Sequence, residues 1–317
     1  MQKFIFIFLL VLFTPFVLAN GQSSIITTES IEMKSLELET RVGKLAANLY
    51  LPEGKENPPL VIVTGAWTTV KEQMPAVYAK ALAEKGFAAL SFDFRGWGQS
   101  ADDIKFLEDP TRKIEDITAV IEAAGSIKGV DSSRLAGLGI CASSGYMLDA
   151  AISSNNLKSV AVVAPWLHDR VLVESIYGGA EGVENLLSVA EKFRGLNQFI
   201  EAASRSNEEA LMFQAPYYTE VNRGLIPEYD NQFNLASWEG WLNYNALQSA
   251  SQQTKPVLVV ASEAMALPAG AEQYVEKSGP NVKAVWLDNI SQFDFYDQEL
   301  AVKKAVDAVS EHFTKTL

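Results

Sequence analysis

Histidine and cysteine are the scarce residues of this 317-residue chain, with two of the first and one of the second. A single cysteine cannot close an internal disulfide, so stability has to come from the core, and this length is ample for one large domain. Two histidines, with no Cys/His ligand spacing, exclude a His-rich metal site, and no cofactor is expected. Cationic residues are the minority, 26 Lys and Arg against 39 Asp and Glu, for a net charge of −13. That balance argues against nucleic acid or an anionic lipid surface as a partner. Internal repeats and low-complexity linkers are absent. The apolar run Phe4 to Phe13 is short for a membrane span and is interrupted by Thr14-Pro15. With Lys3 before it and Val17-Leu18-Ala19 after it, residues 1 to 19 read as a secretory signal. The mature chain is therefore expected to start at Asn20, in the periplasm or secreted, without stable membrane insertion. Losing Lys3 would move its charge from −13 to −14.

Strand and helix patterns alternate through most of what remains. Strands are predicted near 31–37, 41–51, 60–64 and 87–92, with a helix over 72–85 that stops at Gly86. Leu60-Val61-Ile62-Val63-Thr64 is a continuous apolar run of the kind buried in parallel sheets. A helix over 114–124, a strand over 134–139 and another strand over 159–164 follow. The alternation breaks between Leu167 and Gln253, where helical spacing over 182–193 and 198–214 precedes a stretch rich in Pro, Gly and aromatic residues and without strand signals. It resumes with a strand at 256–260, a helix at 269–277, a strand at 283–287 and a closing helix from Glu299. The expected architecture is α/β: a doubly wound, mainly parallel sheet from 20–167 and 251–317, with a helical cap inserted over 168–250.

The single cysteine lies at the most telling point. Gly139-Ile140-Cys141-Ala142-Ser143 joins a predicted strand to a predicted helix. A nucleophile between small residues at such a sharp strand-to-helix turn is the elbow of α/β-hydrolases. Ser143 replaces the usual second glycine. A lone buried cysteine elsewhere would read as inert core filling; here Cys141 is the expected nucleophile, with the helix start beneath it expected to lower its pKa.

The whole order resembles the α/β-hydrolase fold, closest to its dienelactone-hydrolase-like and X-Pro-dipeptidyl-peptidase-like branch, which is similar to fungal polyketide transferases. Thr64 to Met74, Asp93 to Ser100, the elbow and Phe293 to Asp297 carry the likeness. The resemblance implies an oxyanion hole from the backbone N–H of Ala66 or Trp67 together with that of Ala142. It also implies a general-base histidine after the last strand, and there the sequence departs, because Gln292 stands at that position. A glutamine amide cannot shuttle protons near neutrality. His312 falls within the closing helix and reads as structural. His168, after a strand neighbouring the elbow strand, is left as the candidate base, oriented by Asp169 or by Glu263; Glu263 follows the strand 256–260 where the family often carries its acid. The other reading of His168 is a hydrogen-bonded residue anchoring the cap. Asp93 and Arg95 are expected to brace their own loop.

Two functions follow. One is an exported hydrolase or acyltransferase in which Cys141 attacks an ester, lactone or thioester, its substrate a small acyl compound of apolar or aromatic character given Tyr217, Tyr218, Trp238, Trp241 and Tyr244 in the cap. The other is a ligand-binding pseudoenzyme that has lost its histidine.

Overall fold

The computed structural model describes residues 31–317; the expected signal segment lies outside the described residues. Two antiparallel strands, β1 (Ile31–Thr40) and β2 (Gly43–Pro52), lead into β3 (Pro59–Thr64), α1 (Met74–Glu84), β4 (Ala88–Phe92), α2 (Pro110–Ala123), β5 (Asp131–Ile140), α3 (Ser143–Ser153) and β6 (Leu157–Val163). The insertion holds α4 (Arg170–Ile176), α5 (Gly179–Phe193), β7 (Phe199–Glu201), β8 (Ala203–Ser204), β9 (Met212–Phe213), α6 (Pro216–Thr219), β10 (Gln232–Asn234) and α7 (Ser237–Asn243). The sheet then closes with β11 (Val257–Ala261), α8 (Pro268–Lys277), β12 (Val282–Trp286), α9 (Asp294–Asp297) and α10 (Glu299–Thr316).

Eight strands form one sheet in the order β1-β2-β4-β3-β5-β6-β11-β12, parallel from β4 to β12. This is the doubly wound, mainly parallel sheet expected from the alternation. α1 packs with α10, and α2 with α3. Every residue of β4 and β11 is buried, which requires cover on both faces and explains why β11 is an unbroken apolar run and β4 is interrupted only by Ser91. Leu60, Val61, Ile62 and Val63 are wholly buried in β3, each worth roughly 1.5–3 kcal/mol against exposure for side chains of this size. The outer strand β1 alternates Glu and Lys with apolar residues and is largely exposed, so the unpaired edge is charged rather than sticky.

The strand order reverses between β3 and β5: the chain moves outward to β4 on one side and to β6 on the other. Ligand crevices in open α/β sheets form at the carboxyl ends of strands at such a point. Thr64 ends β3 and Ile140 ends β5 there, placing residues 65–67 beside residues 141–142.

The insertion corrects one expectation. The helix predicted over 198–214 is absent; that stretch carries β7, β8 and β9, and β10 follows. β7 pairs with β10 antiparallel and β8 with β9 in parallel, making two small ribbons beside the cap helices. Strands of two or three residues are too short to show alternation, and their backbone pairs across the cap.

Candidate active site

The elbow is strained at the cysteine. Cys141 has φ of 57°, a left-handed conformation that a non-glycine residue holds only when its surroundings impose it. Those surroundings are explicit. Cys141 N–H donates to the Val163 carbonyl at 3.1 Å, while the Cys141 carbonyl accepts from Ser144 N–H at 3.1 Å and Trp166 N–H at 3.0 Å. Gly139 is obligatory for steric reasons, since a Cβ there would sit 2.6 Å from the Ser143 carbonyl oxygen and 2.8 Å from Ser144 Cα. Ser143, in place of the second glycine, is buried and turns its Oγ to the Ile140 carbonyl at 3.2 Å, within the turn itself.

Ala142, Trp67 and Tyr296 line one cavity with Cys141, and the N–H groups of the first two and the hydroxyl of the third favour its thiolate. Two N–H groups brought from different loops to one cavity wall can hold a developing oxyanion, an effect worth about 3 kcal/mol for one donor. Of the two N–H groups expected from the first loop, the structure selects Trp67; Ala66 N–H instead meets the Met74 sulfur at 3.5 Å. The expected low-pKa thiol is corrected. Burial of the sulfur outweighs these donors and pushes the thiol up to about 11, because a thiolate loses more hydration than a few N–H groups return.

Behind the oxyanion loop lies a carboxylate that no sequence motif points to. Glu108 is completely buried and accepts from Thr68 N–H at 3.1 Å, Lys113 Nζ at 2.8 Å and Tyr146 Oη at 2.9 Å. Thr68 follows Trp67 and has φ of 63°; Tyr146 is on α3, the helix that starts at the elbow. Glu108 thus ties the loop after β3 to the helix that follows the elbow. In sequence it is one glutamate before the Asp109 cap of α2, with nothing to mark it. Asp93 and Arg95 brace loops as expected: Asp93 accepts from Lys71 N and Nζ and from Gln99 N, and Arg95 pairs with Glu115 and Asp116.

His168 is not placed as a base. Its Nδ1 accepts from Trp166 Nε1–H at 3.0 Å and its Nε2–H donates to the Trp241 carbonyl at 3.0 Å. Both nitrogens are therefore occupied, and the ring stands edge-on to Trp241 and Tyr244. Burial lowers its pKa to about 4, so it stays neutral and anchors the cap to the end of β6. Asp169 does not orient it but caps α4, accepting from Val171 N–H and Leu172 N–H. Glu263 is exposed and holds the Asn289 N–H at 2.9 Å, which lowers its pKa; it braces the loop after β12. His312 bonds Ser159 Oγ at 2.9 Å, a structural role as expected.

Gln292 does lie in the site. It is buried, accepts from Ala266 N–H at 3.1 Å, and donates from Nε2 to the Ala164 carbonyl at 2.9 Å and to Tyr296 Oη at 3.0 Å. The structure therefore brings together Cys141, Ala142, Trp67 and Gln292, and leaves Ala66, His168 and Glu263 in supporting positions. Tyr296 is the member that sequence reasoning does not single out. It lies in the short α9, which begins two residues after Gln292, and nothing in its spacing marks it. Its own pKa is driven well above the ordinary phenol value, mainly by burial.

Cys141, Ala142, Gln292 and Tyr296 share a cavity of about 170 Å³ with a wall of rings, among them Trp67, Trp238, Trp241 and Tyr218. Tyr217 and Tyr244 do not line it; Tyr244 instead bonds Asp149. A cavity of ~150 Å³ lined by apolar side chains accepts benzene, so the space fits one ring or a short acyl chain. Wider clefts of about 730 and 410 Å³ lie around Lys55, at the start of β3 and thus the far end of the strands.

Fold and site together define an α/β-hydrolase, an enzyme of the hydrolase class. The chain belongs to the Esterase FrsA-like family, which matches residues 17–177. It is similar to the uncharacterized protein YcjY of Escherichia coli, 28% identical over 295 residues that cover 86% of this chain and 94% of that one. The crystal structure of hypothetical protein PA2218 from Pseudomonas aeruginosa superposes with a TM-score of 0.79 at 22% identity, covering 93% of this chain and 96% of that one. The α/β hydrolase GrgF from Penicillium sp. sh18 superposes at 0.74 with 18% identity, covering 90% and 99%. At such identities the solved structures speak for the fold alone.

Proposed function

We propose that the protein is an exported thiol-dependent esterase or acyltransferase, with Cys141 as nucleophile and the N–H groups of Trp67 and Ala142 as oxyanion hole. One observation carries this reading: Cys141 is held at a left-handed φ beside Trp67 and Ala142, on the wall of a ring-lined cavity, where their N–H groups favour its thiolate. An inert core cysteine needs none of these. The substrate class follows from the cavity: an ester, lactone or thioester whose acyl group has about six to eight non-hydrogen atoms, apolar or aromatic. Amides suit the site less, since their leaving group needs stronger acid assistance than any group here supplies. The narrower dienelactone-hydrolase-like and X-Pro-dipeptidyl-peptidase-like placement rests on the matching loop segments. Export rests on residues 1–19, and N-terminal sequencing of the secreted protein is expected to begin at Asn20.

A second reading, a protein that holds its ligand without turning it over, draws on the occupied nitrogens of His168 and on Gln292 at the base position. A screen of short aryl esters, lactones and thioesters against wild type and Cys141→Ala separates the two. Turnover in wild type, its loss in the variant, and an acyl adduct on Cys141 by mass spectrometry are expected. Turnover that survives in Cys141→Ala defeats the nucleophile assignment. Equal ligand binding by both proteins with turnover by neither favours the second reading.

A further inference from the structure

A nucleophile without a histidine still has to lose a proton, and the leaving group has to gain one. We propose that Tyr296 is the acid–base residue of this site, relaying protons between Cys141 Sγ and the leaving group, with Gln292 holding its phenol in place. The inference rests on the thiol-dependent reading above.

Three observations converge on it. Tyr296 is fully buried and shares the cavity wall with Cys141. Gln292 has two amide protons; one is spent on the Ala164 carbonyl and the other on Tyr296 Oη, so the phenol oxygen is an acceptor toward Gln292 and its own O–H is left for the cavity side, where the sulfur lies. The segment carrying Tyr296 is clamped from both sides. Tyr78 Oη donates to the Phe295 carbonyl at 2.7 Å, and Arg223 of the cap bonds the Phe293 carbonyl at 2.8 Å and Asp297. Gln292 at the histidine position is thus converted from a missing base into a support for another group.

The step balances. The Sγ–H proton passes to Tyr296 Oη as Oη–H passes its proton to the leaving oxygen; the S–C bond forms, the C–O bond breaks, and acyl-Cys141 and the alcohol result. Tyr296 is neutral before and after. In deacylation a water proton goes to Oη and the Oη proton to Sγ, the new C–O bond forms and the C–S bond breaks, releasing the acid and restoring the thiol. Trp67 and Ala142 N–H groups hold the carbonyl oxygen in both halves.

Two readouts test this. The groups facing the sulfur are Glu108, which is paired with Lys113, and Tyr146, Tyr177, Tyr218 and Tyr296; burial holds all four phenols above their ordinary range, so with Tyr296 as the relay kcat/KM of the wild type is expected to be level between about pH 6 and 9. In Tyr296→Phe only the rare thiolate reacts, and kcat/KM should rise about tenfold per pH unit. Tyr296→Phe should also lose about 10²–10⁴-fold on alkyl esters, yet much less on nitrophenyl esters and aryl thioesters, whose leaving groups need no proton. Gln292→Ala should show the same leaving-group pattern with a smaller loss. A thermal melt confirms that each variant is folded; if Tyr296→Phe is not, the wild-type pH profile and Gln292→Ala carry the test. Equal losses on all esters, or a wild-type acid limb near pH 6–7, would overturn the relay while leaving Cys141 as nucleophile. Activity that survives Cys141→Ala would overturn the thiol reading itself, and with it the relay.

Discussion

The two sides of the cavity are built from different materials. On the side of β3 and β5 stand a strained elbow, Gly139 closing against Ser143, and the N–H groups of Trp67 and Ala142 that favour the thiolate, the parts the proposed acyl transfer uses. On the side of β6, β11 and β12, no base is paired with an acid. His168 is locked between Trp166 and Trp241, Glu263 braces Asn289 in solvent, and Gln292 supports Tyr296. The first side works through backbone groups, which substitutions reach only where a glycine is required, as at Gly139. The second depends on side chains, each of which one substitution can redirect. A thiol makes that asymmetry workable, because it needs less help from a base than a hydroxyl does.

The comparison breaks most sharply at Cys141→Ser. A serine hydroxyl at the same elbow has no histidine to activate it, so kcat/KM is expected to fall by about 10³-fold or more, matching Cys141→Ala. Steady-state kinetics on a reactive aryl ester decide it; a serine variant within tenfold of wild type means that a strong base is present after all.

Gly139→Ala attacks the backbone side directly. The added methyl would press on the backbone of Ser143 and Ser144, atoms that cannot move without opening the elbow. A loss of about 3 kcal/mol or more is expected in urea unfolding; near-wild-type stability would show that the turn is looser than its contacts imply.

On the opposite side, His168→Ala is expected to cost about 2–3 kcal/mol through lost packing and two lost hydrogen bonds, with kcat of the folded protein little changed. Its pH dependence has a definite sign. The unfolded imidazole titrates near 6.5 and the folded one at about 4, so in that window the unfolded state binds more protons. Stability is therefore full above pH 6.5 and is lost as pH falls toward 4, by on the order of 3 kcal/mol for this one group. Unfolding curves of wild type and His168→Gln across this range should differ in slope. A collapse of kcat in folded His168→Ala would return it to the catalytic role.

Glu263→Ala should change least. The carboxylate is exposed and meets one loop N–H, so kcat/KM is expected to stay at the wild-type value. A loss on alkyl esters comparable to that of Tyr296→Phe would restore it as a catalytic acid.

Period and punctuation make the sheet legible in the amino-acid sequence. The unbroken runs of β3 and β11, the stop of α1 at Gly86 and the small residues around Cys141 each report a local constraint, burial on two faces, a helix end or a tight turn, that acts within a few residues. The same locality explains what could not be read. The short cap strand β7 depends on β10, a partner far along the chain, and neither is long enough to leave a period. Whether His168 met the sulfur or the Trp241 carbonyl, which of Ala66 and Trp67 turned its N–H inward, and whether burial or the helix end set the thiol's pKa are all outcomes of packing between distant segments. Residue types and their spacing determined the fold, the elbow and the missing histidine. Only the tertiary structure decided what stands in the histidine's place, because a side chain's proton partners are chosen by the three-dimensional neighbours that bury it, and burial reorders pKa values far more than sequence neighbours do.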